Sequence, residues 1–169
     1  MGVEDTAARA ERLYDQIKAI AIKAMTNERP DHTLQPTAVA SEAFLRLSEH
    51  RDSWDSDEHF MFAVVSTVRR VLVDYAKRRG RLKRGGGWVR VEFPDHAEQP
   101  TAFDVLVLDD LLQQLAERDR EAAVVFEATV FGGMNDQRIA MIMDRDEDEI
   151  RRIRRRARAW LASMLSQVS

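Results

Sequence analysis

The chain has no cysteine. That absence removes disulfides, thiolate nucleophiles and cysteine-ligated zinc, and it fits a reducing compartment. Long apolar runs are also missing: the longest, Phe60 to Val65, falls far short of the about 20 residues that a membrane-spanning helix needs. The first residues, Met1 to Asp5, are acidic and lack the basic start and apolar core of a secretory leader. A cytoplasmic protein with no membrane contact is expected.

Enzyme chemistry finds no footing. His32, His50, His59 and His96 never fall at i, i+3 or i, i+4 from one another, so no helical metal pair exists. With no cysteine and no Gly-x-Ser-x-Gly, a nucleophile is lacking as well. Asp144-x-Asp146-x-Asp148 imitates the opening of a calcium loop, but Glu149 stands where that loop needs Gly and Arg155 where it needs Glu. Gly85-Gly86-Gly87 is not followed by Lys-Ser or Lys-Thr and is no phosphate-binding loop. No catalytic residue, metal or cofactor is expected.

What the chain does have is helical patterning and clustered charge. Its 169 residues, 44% of them hydrophobic, suffice for one ordinary domain or two small helical ones. The net charge is only -3, yet residues 69 to 90 hold nine Lys or Arg against one acid, Asp74, and residues 150 to 161 hold six Arg and no acid. Two local cationic surfaces on an otherwise acidic body point to phosphate, and so to nucleic acid.

Apolar residues at Leu13, Ile17, Ile20, Ala21 and Ala24 mark a helix that ends at Asn27-Glu28-Arg29-Pro30. A second helix starts at Thr37 and runs through Leu47, and a long one spans Glu58 to about Arg81 with Val64, Val68, Val71, Leu72 and Tyr75 on its buried face. Gly85-Gly86-Gly87, Pro94 and Pro100 then read as a flexible inter-domain linker over residues 86–101, with a short alternation at Trp88 to Phe93. Four further helices are expected: Phe103 to Leu115, Asp119 to Phe131, Asn135 to Met143 and Asp146 to Leu165. The last two, about three residues apart, have helix-turn-helix spacing. The expected fold is all-α: an N-terminal domain over 1–85, the linker, and a C-terminal domain over 102–169.

Three strings in order carry a resemblance: HTLQPTAVASEAFLRL (His32 to Leu47), RRVLVDYAKRRGRLKRGGG (Arg69 to Gly87) and RARAWL (Arg156 to Leu161). Together they resemble bacterial RNA polymerase sigma factors of the sigma-70 family, extracytoplasmic-function class, nearest a subgroup carrying TLQPT. The resemblance implies a factor that binds core RNA polymerase and directs promoter-specific initiation. Its first domain docks on the β′ clamp helices and opens the minus-ten element; its second reads the minus-thirty-five duplex and touches the β flap. Core polymerase binding is expected at Thr37, Glu42 and Arg46, with Phe44 and Leu47 in the core. Minus-ten DNA contact is expected at Trp54, or else that ring caps the core, and at Arg69, Arg70, Lys77, Arg78, Arg79, Arg81, Lys83 and Arg84. Minus-thirty-five contact is expected at Arg151, Arg152, Arg154, Arg155, Arg156 and Arg158.

The chain departs from the family pattern in three places. The turn residue that is usually Gly is Asp144, which tolerates left-handed backbone better than most. Asp146, Glu147, Asp148 and Glu149 open the recognition helix, where they suit the helix dipole but repel DNA. Finally, the acidic cluster that precedes the EAFLRL helix in typical members is replaced by Gln35-Pro36-Thr37-Ala38. Phosphorylation of Thr37 by a Ser/Thr kinase would supply about -1.5 to -2 charges there; a plain N-cap role for Thr37 is the other reading. An anti-sigma factor is a further candidate partner. Two alternatives to a sigma factor remain: a helix-turn-helix regulator working without polymerase, and a sigma-like decoy or anti-sigma-type partner.

Overall fold

A computed structural model describes residues 4–25, 35–50, 54–82, 90–92 and 102–168. Among them are eight helices and one two-stranded ribbon. Helix α1 (Thr6–Arg12) starts at Asp5, whose carboxylate accepts the Ala8 N–H at 2.7 Å, a side-chain N-cap. The chain breaks at Leu13 and resumes as α2 (Tyr14–Ala24), so α1 is an addition to the helix expected from Leu13. Helix α3 (Pro36–His50) places Pro36 at its first position, where a missing N–H costs nothing. Helix α4 (Asp57–Leu82) follows Ser56, whose hydroxyl accepts the His59 N–H at 3.1 Å. The four helices bury Ile17, Ala21, Val39, Ala43, Phe60, Val64, Val68 and Leu72.

Strand β1 (Arg90–Glu92) pairs antiparallel with β2 (Ala102–Asp104), Val91 opposite Phe103. The expected linker therefore contains a strand, in the stretch where the sequence alternates. Helices α5 (Val105–Arg118), α6 (Arg120–Val130), α7 (Asp136–Met143) and α8 (Glu147–Val168) complete the chain. Asp119 caps α6 through the Ala122 N–H at 3.1 Å, and Asn135 caps α7 through the Arg138 N–H at 2.8 Å. Leu108, Leu112, Phe126, Phe131, Ile139, Ile150, Ala157 and Leu161 fill this second group.

The two helical groups lie against each other. Their buried residues form one connected cluster, with α4 packed on both α5 and α6. The approach is close at Gly132, where a Cβ would fall 2.6 Å from the Ala128 carbonyl oxygen and 2.8 Å from Val65 Cγ2. Farther along the seam, Arg138 Nε lies 3.1 Å from Glu58 Oε2.

Candidate nucleic-acid interface

Helix α4 carries the first cationic face. Arg70, Lys77 and Arg78 are exposed on it. Arg70 and Lys77, two turns apart, project to the same side about 10 Å from each other. Asp74, the single acid of residues 69–90, lies between them and is engaged from α3: Arg46 Nη1 reaches its Oδ2 at 2.8 Å while Arg46 Nε holds Glu42 Oε1 at 3.0 Å. The competing negative charge is thereby neutralised within the protein. The side chains of Arg79 and Arg81, and the whole of Lys83 and Arg84, lie outside the described residues.

Arg69 points elsewhere. Its side chain is only 16% exposed, with Nε 2.9 Å from Glu127 Oε1 of α6 and Nη1 3.4 Å from Asp109 Oδ1 of α5. The Arg69–Glu127 contact is an ion pair without aligned hydrogen-bond geometry, since neither atom has a hydrogen-bond partner. Ser66 Oγ donates to Glu127 Oε2 at 3.2 Å. Burial pushes the Glu127 carboxyl above the usual glutamate value, and the Arg69 charge pulls it back in part. Among the nine residues expected at minus-ten DNA, Arg69 faces carboxylates of the second helical group.

Trp54 packs edge-on against Phe60 at 5.5 Å between ring centroids. Its indole N–H donates to Thr6 Oγ1 at 3.1 Å and its carbonyl accepts from Arg9 Nη1 at 3.0 Å. These contacts tie α1 to the entry of α4 and make the half-buried indole a cap on the core.

On α3, Leu47 is buried and Phe44 packs edge-on against Tyr14, as the pattern implies. Arg46 is half-buried and committed to Asp74, whereas Leu45 is 56% exposed. Leu45 stands two residues from both Ala43 and Leu47, which turns it away from the core. Thr37 is exposed at the second helical position. It is not the N-cap: Gln35 holds that place, its carbonyl accepting the Val39 N–H at 3.2 Å.

Helix α8 follows α7 after three residues, 144–146. Asp144 adopts left-handed backbone with φ 53 and ψ 52. The Arg145 N–H bonds back to the Ala140 carbonyl at 2.9 Å, which closes the end of α7. The four acids have structural tasks. Asp146 Oδ1 accepts the Asp148 N–H at 2.7 Å, and Glu149 Oε2 accepts the Asp146 N–H at 3.3 Å. This is a reciprocal capping box. Glu147 and Asp148 hold Arg151 at 3.2 and 2.6 Å. Arg154 pairs with Asp136 at 3.1 Å and Arg156 with Asp119 at 2.8 Å. Arg152, Arg155 and Arg158 are exposed; Arg152 and Arg155 have no ion pair among the described residues and line an open cleft with Asp148 and Arg151.

Cationic side chains thus lie on one long helix of the first group and on the last helix of the second, in a protein whose described residues are nearly all helical. Its family follows from sequence comparison: the chain belongs to the ECF sigma factor family, whose model matches residues 3–167. That family comprises RNA polymerase-binding sigma factors for promoter-specific initiation. Comparison with curated proteins and with solved structures returned no match. No group of three or more His, Cys, Asp or Glu that could hold a metal occurs among the described residues, and no described helix is long and apolar enough to cross a membrane.

Proposed function

We propose that α3 docks on the β′ clamp helices of core RNA polymerase, that the α4 face grips the opened minus-ten strand, and that α8 holds the minus-thirty-five duplex. The observation that carries this reading is the Arg46–Asp74 pair, which leaves Arg70, Lys77 and Arg78 as an uninterrupted cationic face. Extruding bases costs a few kcal/mol, and cations gripping the strand's phosphates offset part of it. On α3, Glu42 and Leu45 are the surface groups offered to the clamp, with Arg46 acting through Asp74. On α8, Arg152 and Arg155 lead; exposed Arg158 lies farther along the helix, and Arg151, Arg154 and Arg156 join them if their carboxylate partners exchange for phosphate.

Thr37 is the proposed control point. Its exposed hydroxyl stands in the first turn of a 15-residue helix, where backbone N–H groups and the dipole favour an anion. A phosphate placed there by a Ser/Thr kinase restores the negative charge that faces the clamp in typical members. Core polymerase incubated with the chain, unmodified or phosphorylated at Thr37, tests both parts. Capture of the phosphorylated form with at least tenfold higher affinity is expected. Equal capture of a Thr37→Ala variant rejects the control, and no capture of either form rejects the sigma reading.

The pairing of Arg151, Arg154 and Arg156 with acids favours one alternative, a sigma-like decoy that binds polymerase without reading minus-thirty-five DNA. Such a protein would be captured by polymerase yet start no transcript.

A further inference from the structure

The three paired arginines of α8 differ in how much of each guanidinium is committed. Arg156 gives Nε and Nη2 to Asp119, at 3.2 and 2.8 Å, and Arg151 gives Nη1 and Nη2 to Asp148 and Glu147. Arg154 makes one side-chain hydrogen bond among the described residues, from Nη2 to Asp136 Oδ2 at 3.1 Å. Its other donors stay available, and its side chain is 25% exposed. Arg154 can therefore meet a further acceptor without leaving its carboxylate.

The carboxylates differ as well. The side chains of Asp119, Glu147 and Asp148 are 30%, 50% and 74% exposed, whereas that of Asp136 is 12% exposed. Asp136 Oδ1 is buried with no hydrogen-bond partner among the described residues. A half-satisfied buried carboxylate costs stability. Its charge suits the start of α7, but an exposed acid would serve the helix dipole equally well. Burial instead fixes where Oδ2 sits, and Oδ2 also lies 3.7 Å from Arg151 Nε. One immobile carboxylate on the first helix of the helix-turn-helix thus holds two arginines that lie one turn apart on the second. In that motif the first helix crosses the DNA backbone while the second enters the major groove. Asp136 ties the direction of Arg154 to the helix that sets the register on the duplex.

A held arginine and a loose one meet DNA differently. A guanidinium reads guanine when its planar fork reaches O6 and N7 together, whereas a loose one donates to whichever phosphate is in reach. Arg152 and Arg155, exposed and without an ion pair among the described residues, are of the second kind. We infer that Asp136 is a positioning residue for base readout: it presents Arg154 to a guanine edge of the minus-thirty-five duplex and contributes sequence preference rather than affinity. The inference rests on the proposed placement of α8 on duplex DNA, and its test uses the full chain without polymerase.

A library of duplexes with a randomised window is bound to the chain at low salt, and the enriched sequence is then compared with a scrambled duplex by fluorescence anisotropy. The readout is the ratio of the two affinities. Removing an acid near DNA raises both, so the ratio reports aim rather than charge. Asp136→Ala should lower it about fivefold or more, the loss of one bidentate guanine contact. Asp136→Glu keeps the charge at the start of α7 but moves the carboxylate by one methylene, and should lower the ratio too. Asp136→Asn, which keeps an acceptor in place, should retain most of it. In an Arg154→Ala background, Asp136→Ala should change nothing further. If circular dichroism finds Asp136→Ala unfolded, the Glu and Asn variants decide. A wild-type ratio in Asp136→Glu, or an equal loss with and without Arg154, would overturn the inference, as would a wild-type chain that enriches no sequence. Capture of the wild-type chain by core polymerase, measured separately, decides the sigma reading independently of that ratio.

Discussion

Arg46 of α3 reaches Asp74 of α4 at 2.8 Å, joining the helix proposed to dock on polymerase to the helix proposed to hold nucleic acid through the one acid of residues 69–90. The guanidinium keeps Asp74 from repelling the phosphates expected beside it. Both side chains are partly solvated, so the pair contributes only about 0–1 kcal/mol to stability. Its main effect is electrostatic screening of a binding face. Arg46→Ala should therefore melt near the wild-type temperature but bind single-stranded DNA severalfold more weakly. Adding Asp74→Asn should restore the affinity in a fluorescence anisotropy titration. A double variant that stays as weak as Arg46→Ala would place Arg46 itself on the DNA.

The α4 face makes a second prediction through salt. Each phosphate contact with a single strand contributes about -0.7 to the slope of log affinity against log salt. Replacing Arg70, Lys77 and Arg78 together by Gln should flatten that slope by about 2 if all three touch phosphate. The same substitutions should leave helical content unchanged, because all three side chains are exposed.

The acids at the start of α8 should separate into two kinds. Asp146→Ala breaks the capping box and should lower stability by about 0.5–2 kcal/mol in denaturant unfolding. Glu147→Gln with Asp148→Asn removes two of the three carboxylate partners of Arg151, leaving Asp136 at 3.7 Å, without touching the Asp146 cap. That variant should bind a minus-thirty-five duplex more tightly than wild type. Unchanged affinity would mean that Arg151 does not meet the duplex.

The pH dependence has contributions of opposite sign, of which Asp119 and Glu127 are examples. Asp119, held below the usual 3.8 by the Ala122 N–H and then by Arg156, stabilises the fold fully above that value; the contribution disappears as pH falls through the depressed one. Glu127, raised above 4.5 by burial against the opposing charges of Arg69 and Arg70 and with Asp109 adding to the rise, acts the other way. Its contribution is complete below 4.5 and declines as pH rises through the raised value. Glu127→Gln alone should thus weaken the stability loss that accompanies that rise, while Asp109 still serves Arg69. Thermal unfolding between pH 4 and 8, flat in the variant where the wild type declines, would verify the sign.

Much of this architecture is legible in one dimension. The stripe Ile150, Ile153, Ala157 and Leu161 is buried in α8 as its spacing implies, and the Trp88 to Phe93 alternation marks β1. Asp144 adopts the left-handed turn that its type tolerates. Helix α1 escaped notice because it has only seven residues and owes its place to its Asp5 cap and to Arg12, which pairs with Asp57 at 2.8 Å across 45 residues of sequence. Arg69 looked like its basic neighbours for a similar reason. Its partners come from α5 and α6, and no local periodicity records a contact between helices joined by a long connection. The opposite holds for the α8 acids, whose capping role is local and could have been read from the Asp146–Glu149 spacing.

Sigma activity is tested most directly by transcription from fragmented genomic DNA with core polymerase and the chain, unmodified and phosphorylated at Thr37, followed by sequencing of the transcript starts. Starts focused on a shared pair of upstream elements, strongest with the phosphorylated chain, are the predicted result. Stable polymerase binding with no focused starts in either form would contradict it and leave the decoy reading in its place.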